Sequence, residues 1–486
     1  MTNKKSLTLF GFFALTASMV MTVYEYPSFA SSGFSLVFFL IIGGFFWFLP
    51  VALCAAEMAT VKGWDTGGVY TWSGHLLGEK WGFAHIFFQW FQGTVGFVTM
   101  IYFILSALSY VFNFDTLNTN PLIRFMGVLL IFWTITFSQF KGTSFSAKIS
   151  RYGFIIGILI PAVFLFGLTI AYFLTGGTSL LTFDLKTFIP DFSKVNTLVV
   201  FVSFILAYAG IEASATHANE MKNVKRDYPI AVLVLVVLAI ILNTMGGLSI
   251  GSVVPADKLG LSTGVLQGFK GLLAHFGPNL DWIVRVIAIL ISMGVLAEAT
   301  AWVVGPSWGM QVAGKTGLLP KNLSKTNQHG VPTQFLILQG IIVTIWAAIL
   351  TFGGNGNNNL SFFASMSLTV IIYSIAYIIF FIAYLALVYK HDDIDRAFRI
   401  SKSKVIQYFF GLSGLLFSII VFLISFIPPA QLQGSNAPKE YFMILIVSFI
   451  LVIFVPFIIY HFMRKKNPLP NGVTMPNLEE EEENAK

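Results

Sequence analysis

Apolar residues in this chain come in long, nearly unbroken runs rather than at the three-and-four spacing of a helix with one wet face. The runs lie near 7–30, 34–60, 80–112, 121–140, 150–175, 197–218, 229–253, 281–307, 334–352, 360–388, 405–428 and 440–463. A helix needs about 20 apolar residues to cross a hydrocarbon core of about 30 Å, and these runs have that length. The pattern predicts an all-α membrane protein with twelve transmembrane helices. The first run follows Lys4 and Lys5 and ends in Tyr24-Glu25-Tyr26-Pro27 rather than in small residues, so it is expected to be a retained helix and not a cleaved signal.

Composition agrees with the pattern. Of the 486 residues, 56% are hydrophobic and only 10% charged, and mean hydropathy is +0.79, which excludes a soluble domain. If both termini face the cytoplasm, 22 of the 29 Lys and Arg fall on the inner side and 7 on the outer. The positive-inside rule favours that orientation. The same asymmetry accounts for the net charge of +7, so basic loops beside anionic lipid explain it without a nucleic-acid partner.

Two runs are interrupted. Near the middle of the chain, Ala207-Tyr208-Ala209-Gly210-Ile211-Glu212 puts a glycine and an acid inside an apolar stretch. An ionisable group at membrane depth is expensive and marks a functional site, and unwound backbone is tolerated there only where it is buried in protein or lines a cavity. A break is expected from Tyr208 to Glu212 in the sixth run and from Ala17 to Tyr24 in the first. The two interrupted runs stand five apart, each followed by four more. Because five is odd, the second set enters the membrane from the opposite side, which is a five-plus-five inverted repeat with broken helices 1 and 6. The expected division is 1–175 for the first repeat, 176–388 for the second, 389–463 for spans 11 and 12, and 464–486 for a cytoplasmic tail.

Particular strings carry a resemblance. Glu57-Met58-Ala59-Thr60 with Gly67-Gly68-Val69-Tyr70 resembles the second-span exit of amino acid–polyamine–organocation transporters, whose fold is LeuT-like. Thr16-Ala17-Ser18-Met19-Val20-Met21, Tyr24-Glu25-Tyr26-Pro27, Leu53-Cys54-Ala55-Ala56-Glu57-Met58, Glu212-Ala213-Ser214-Ala215-Thr216-His217 and Gly294-Val295-Leu296-Ala297-Glu298 are similar to the acid-resistance glutamate:GABA antiporters of that superfamily. Span 1 lacks the superfamily's Gly-Ser-Gly run and shows Ala17-Ser18-Met19-Val20, as that subgroup does. The resemblance implies exchange of external glutamate for internal 4-aminobutyrate (GABA) across a bacterial inner membrane, coupled to a cytosolic glutamate decarboxylase, with no cofactor. Another exchanger or proton-coupled symporter of the superfamily, or a membrane amino acid sensor, are the alternatives.

The candidate substrate or gate residues are Ser18, Met19, Tyr24, Tyr208, Gly210, Glu212, Glu298, Tyr373 and Tyr377. Unwound backbone and half-helix ends can serve both the carboxylate and the amine of such substrates. Each candidate has a plainer reading. Glu212 and Glu298 suit buried packing acids, Tyr24 an interfacial aromatic belt, and Tyr373, Tyr377 and Tyr384 a packed helix face. Glu57 is expected to be a helix-end hydrogen-bond partner, Cys54 a small buried residue, and Trp64 to Gly68 a turn.

Helix-forming residues from Ser262 to Phe276 suggest a surface helix or an outer lid, 353–359 a tight turn, and Lys390 to Lys404 a solvated loop. No histidine pair has metal-ligand spacing, no phosphate-cradling loop occurs, and no nucleophile–base pair suggests an enzyme. The tail runs through Asn471-Gly472-Val473-Thr474 to Glu479–Glu483 and has no histidine after His461, so it is not expected to switch between pH 5 and 7.

Overall fold

The computed structural model describes residues 8–64, 67–193, 198–353, 358–429, 432, 436–469 and 475–476. Among these the regular secondary structure is all helical, apart from one isolated bridge between Val61 and Arg396. The long apolar helices are numbered here by their place in the chain. They are α1 Leu9–Val20, α2 Ser35–Ala59, α3 Glu79–Phe112, α4 Pro121–Gln139, α5 Lys148–Leu174, α6 Phe201–Leu206, α7 Val224–Gly251, α8 Asp281–Leu318, α9 Thr333–Gly353, α10 Leu360–Lys390, α11 Lys404–Ile424 and α12 Ala437–Lys466. Ten of them are long and apolar enough to span a membrane, and α1 and α6 are shorter. The protein is a multi-pass membrane protein.

Burial sorts the helices into a hub and a rim. In α3, 78% of the most apolar stretch is buried inside the protein, against 22% in α12, so α3 is wrapped by other helices and α12 faces outward. The exposed side chains of α4, α5, α11 and α12 are large and apolar, including Leu130, Val163, Leu416 and Leu451. On a soluble protein so much exposed apolar surface would mark an interface. Here it is the surface that lipid covers. Where α5 crosses α8 the backbones touch, since a Cβ on Gly157 would lie 2.3 Å from Gly294. Small residues allow such close crossings in a bilayer, where packing rather than water exclusion holds helices together.

Both expected interruptions exist, and one is displaced. After α6 the chain turns through Ala207 to Glu212 and continues as a 3₁₀ segment, Ala213–Glu220, so the Tyr208–Glu212 break lies where it was expected. In the first run, however, helix continues to Val20, with the Met21 N–H bonded to the Ala17 carbonyl at 2.8 Å. Unwound chain covers Met21 to Glu25 and ends at the short helix Tyr26–Ala30, whose Pro27 is favoured in a first turn. Ser18 and Met19 therefore sit on regular helix. Without a glycine, Ala17 to Val20 have no conformational reason to leave it.

The stretch from Lys390 to Lys404 is also not simply solvated. Arg396 is buried, and its Nε lies 2.9 Å from Glu57 Oε1 at the end of α2. The Arg396 Nε–H is not aligned on that oxygen, so the contact is charge on charge rather than a directional hydrogen bond. The remaining capacity of Glu57 is filled by the Tyr384 hydroxyl at 2.9 Å, the Ile400 N–H at 3.1 Å and the Gln407 amide at 3.2 Å. Glu57 is thus the helix-end hydrogen-bond partner its position suggested. Asp392 joins from the exposed side. Partial desolvation pushes its pKa up, but Lys404, Arg399 and Arg396 more than offset this and leave it below the ordinary carboxylate range. What that contact contributes is present above pH about 4 and is lost as pH falls through the lowered value.

The expected outer helix is Gly264–Ala274, and it is docked: Gly268 meets Ile250 of α7 and Phe269 stacks on Phe164 of α5. Arg464 near the end of α12 clamps Glu79 at the start of α3, with Nε 2.6 Å from Oε2 and Nη2 on the other oxygen. Farther along the tail, Met475 is buried against Gly74. Asp65 and Thr66, the 354–357 part of the Gly/Asn turn, Asn471 to Thr474 and the glutamate run lie outside the described residues.

Removing one partner of a buried ion pair strands the other charge, at a cost of about 3–5 kcal/mol. Glu57→Gln is expected to lower the thermal midpoint of the detergent-solubilised protein, and the added change Arg396→Met to restore most of the loss. Unfolding followed by tryptophan fluorescence checks both; no recovery in the double variant would mean that Arg396 is held by contacts other than Glu57.

Candidate functional site

The two interruptions lie side by side at the centre of the bundle, and polar groups hold them there. Thr16 in α1 donates its hydroxyl to Ser214 at 2.9 Å, linking the first run to the sixth. Trp302 of α8 donates its indole N–H to the Met19 carbonyl at 2.9 Å. The same indole packs against Gly210, where a Cβ would lie 2.5 Å from the ring and φ is +104°. Only glycine fits both the turn and the ring.

Breaking α6 frees backbone groups that cannot stay unpaired at membrane depth. The Gly210 N–H donates to the Tyr377 hydroxyl of α10 at 2.8 Å. Tyr377 passes its own proton toward Glu212 Oε2 at 2.9 Å. On the other oxygen, Glu212 accepts from the Tyr373 hydroxyl at 2.5 Å and from the Gln89 amide of α3 at 3.0 Å. One carboxyl therefore ties α3, α6 and α10 together, and both of its oxygens are occupied. Spacing of four on α10 is what brings Tyr373 and Tyr377 to the same acid.

Beside this network is a small cavity of about 30 Å³, room for one or two waters, bounded by α1, α3, α6, α8 and α10. Its polar lining includes Tyr24, Glu25, Gln92, Glu298 and Tyr373, with Trp302 as an aromatic wall. Each of these is at most 7% exposed, so the cavity lies inside the bundle. Neither Lys, Arg nor His occurs among its lining residues.

The structure separates the candidates into three sets. Met19, Tyr24, Glu298 and Tyr373 line the cavity. Gly210, Glu212 and Tyr377 form the adjoining network. Ser18 and Tyr208 do neither of these things: Ser18 bonds back to the Leu15 carbonyl of its own helix at 2.7 Å, and Tyr208 stacks on Phe48 and donates to the Leu40 carbonyl at 3.0 Å. Three side chains were passed over as candidates. Gln89 and Gln92 were detectable as amides in an apolar run, and Glu25 as an acid in another. Among the described residues no group of three or more His, Cys, Asp or Glu could hold a metal.

Comparison with known proteins gives a family and close relatives. The amino acid permease family model matches residues 7–468. The chain is 55% identical over 464 residues to the glutamate/gamma-aminobutyrate antiporter of Lactococcus lactis subsp. lactis, covering 96% of this chain and 92% of that one. It is 56% identical to the protein of the same name from Lactococcus lactis subsp. cremoris, with the same coverage. An uncharacterised transporter of Legionella pneumophila is 31% identical over 456 residues, covering 94% of this chain and 97% of the relative.

Gly210 is the position where the geometry is least forgiving. Gly210→Ala adds left-handed backbone strain of about 1–3 kcal/mol and drives a methyl into Trp302. It is expected to lower both the yield of monodisperse protein and its thermal midpoint, with Ala209→Gly as a milder control. Unchanged midpoints for Gly210→Ala in a fluorescence melt would mean that the α6 turn can relax away from the indole.

Proposed function

The chain belongs to the amino acid permease family, and from that premise we propose that it exchanges extracellular glutamate for intracellular GABA by alternating access. The observation that carries this is identity of 55% and 56%, over 96% of the chain, to antiporters named for those two substrates. In this reading α1 and α6 are the two remaining, broken spans, which makes twelve in all. Residues 1–175 and 176–388 are the inverted repeats, α11 and α12 follow them, and both termini lie in the cytoplasm of a bacterial cell. Exchange of this kind contributes to acid resistance when a cytosolic decarboxylase turns the imported glutamate into GABA, since decarboxylation consumes a proton.

The central cavity is the substrate site. Glutamate and GABA both present a carboxylate and an amine at opposite ends of a short chain. The lining offers donors in Gln92 and the hydroxyl of Tyr24, and acceptors in Glu25, Glu298 and the Tyr373 hydroxyl, whose proton goes to Glu212. Met19 and Trp302 close the middle, joined through the Met19 carbonyl. Glu212 does its work one layer out. It holds the Tyr373 ring in the cavity wall by its hydroxyl and Tyr377 on the Gly210 N–H, so the α6 turn and the α10 wall move as one body. Because the cavity is lined by buried residues and has room for only one or two waters, substrate fits only when α1 or α6 shifts against α3, α8 or α10, which is the motion that alternating access requires.

Purified protein in liposomes loaded with GABA is expected to take up labelled glutamate much faster than the same protein in empty liposomes. Equal uptake into both would contradict obligatory exchange, and uptake driven by an imposed proton gradient alone would identify a symporter instead.

The wiring of Glu212 makes a second outcome specific. A glutamine there keeps an oxygen for Tyr373 and Gln89 and disturbs only the Tyr377 side, whereas alanine leaves three buried donors unanswered, each costing about 1–3 kcal/mol. Glu212→Gln is therefore expected to keep a measurable share of exchange and Glu212→Ala to lose at least about tenfold more. Initial rates at matched protein density decide; equal loss in both variants would mean that the carboxylate charge itself is needed.

A further inference from the structure

We propose that Glu25 and Glu298 form the subsite that receives the ammonium group of the transported amino acid. The identity of the ligand rests on the exchange reading above; the placement of its amine is the new element. Both acids line the central cavity, and both are buried, at 2% and 3% exposure. Each has one carboxyl oxygen, Oε2, with no hydrogen-bond partner. No basic side chain lines the cavity to answer them.

This differs from the protein's other buried acids. Glu57, Glu79 and Glu212 have both oxygens engaged by Arg, Tyr, Gln or backbone donors. A fold that satisfies three acids so fully and leaves two open toward one cavity has left the open pair for something that arrives. A buried polar atom without a partner is costly, and an ammonium, with three donors and one positive charge, supplies both the bonds and the counter-charge that the pair lacks.

The pair is also held in place. The Glu25 carbonyl accepts the N–H groups of Ser28 and Phe29 at 2.9 and 3.3 Å, which fixes its backbone at the mouth of the Tyr26–Ala30 turn. Glu298 stands one helical turn before Trp302, whose indole is bonded to Met19. The two acids thus come from different elements, one on the α1 break and one on α8, and the bonds that fix those elements do not use the free oxygens. Gln92 lines the same cavity and keeps one amide N–H for the carboxylate end, its other N–H being given to the Gln89 carbonyl at 3.1 Å.

Glutarate tests this directly, because it keeps both carboxylates of glutamate and lacks only the amine. In the wild-type exchange assay glutarate is expected to compete with labelled glutamate at least about tenfold less well than unlabelled glutamate does. Glu25→Gln and Glu298→Gln are each expected to raise the glutamate KM about tenfold while leaving glutarate inhibition within about twofold, so that discrimination collapses. Variants that lose rate but keep the glutamate-over-glutarate ratio would assign the acids a structural role and overturn the proposal. So would glutarate competing as well as glutamate in the wild type, a result that needs no variant to fold. If wild-type protein shows no GABA-dependent uptake, the exchange reading fails instead. Stabilisation against thermal unfolding by glutamate over glutarate then still supports the subsite, and equal stabilisation overturns it.

Discussion

A helix can be broken inside a hydrocarbon layer only if every backbone group it releases finds a partner within the protein. At the centre of this molecule that requirement is met by a short relay from the Gly210 N–H to the Tyr377 hydroxyl to the Glu212 carboxyl. Water would dissolve such a relay, and lipid would leave it nothing else to bond. The relay in turn needs α3 and α10 close by, because Gln89 and Tyr373 complete the carboxyl. The turn in α6 and the packing of the hub around it are therefore one structure, and neither is available without the other.

Trp302 does for the first interruption what Tyr377 does for the second. Its indole caps the Met19 carbonyl near the end of α1 and lays its ring on Gly210. The Thr16 to Ser214 bond then joins the two broken runs directly. A shift of α1 must move Trp302 or break its bond, and a moved indole either releases or crowds the α6 turn. That ring is therefore a direct physical link between the two interruptions.

How much of this could be read from the sequence depended on contrast. Glu212, Glu298 and the α10 tyrosines stand out because polar groups are rare in apolar runs, and the α6 break stands out because Gly210 sits beside an acid. The α1 break lies later than expected because Ala17 to Val20 are compatible with helix, and the local signal is Pro27, at the start of the next short helix, rather than a glycine within the run. Glu25 was hidden by its neighbours, since a Tyr-Glu-Tyr-Pro string at the end of a hydrophobic run looks like a membrane interface. Arg396 was hidden by its loop. Among four charged residues between 392 and 396 nothing distinguishes the one that turns inward, and only tertiary structure brings it to Glu57.

The buried acids then sort by what surrounds them rather than by how deep they lie. At the helix ends Glu57 and Glu79 each meet an arginine, and the pairs pin a loop and the last helix to the bundle. Glu212 meets three neutral donors, which hold its shape without needing a cation and make it a hinge pin for α6 and α10. Depth alone would have put it with Glu298 as a ligand-facing acid. Partner satisfaction separates them: a carboxyl with both oxygens answered has little left to offer a substrate, and one with an unanswered oxygen on a residue that lines a cavity can still accept from a cation. In a membrane, where each unanswered group is costly, the arrangement of unmet bonds is as informative about function as the bonds that are made.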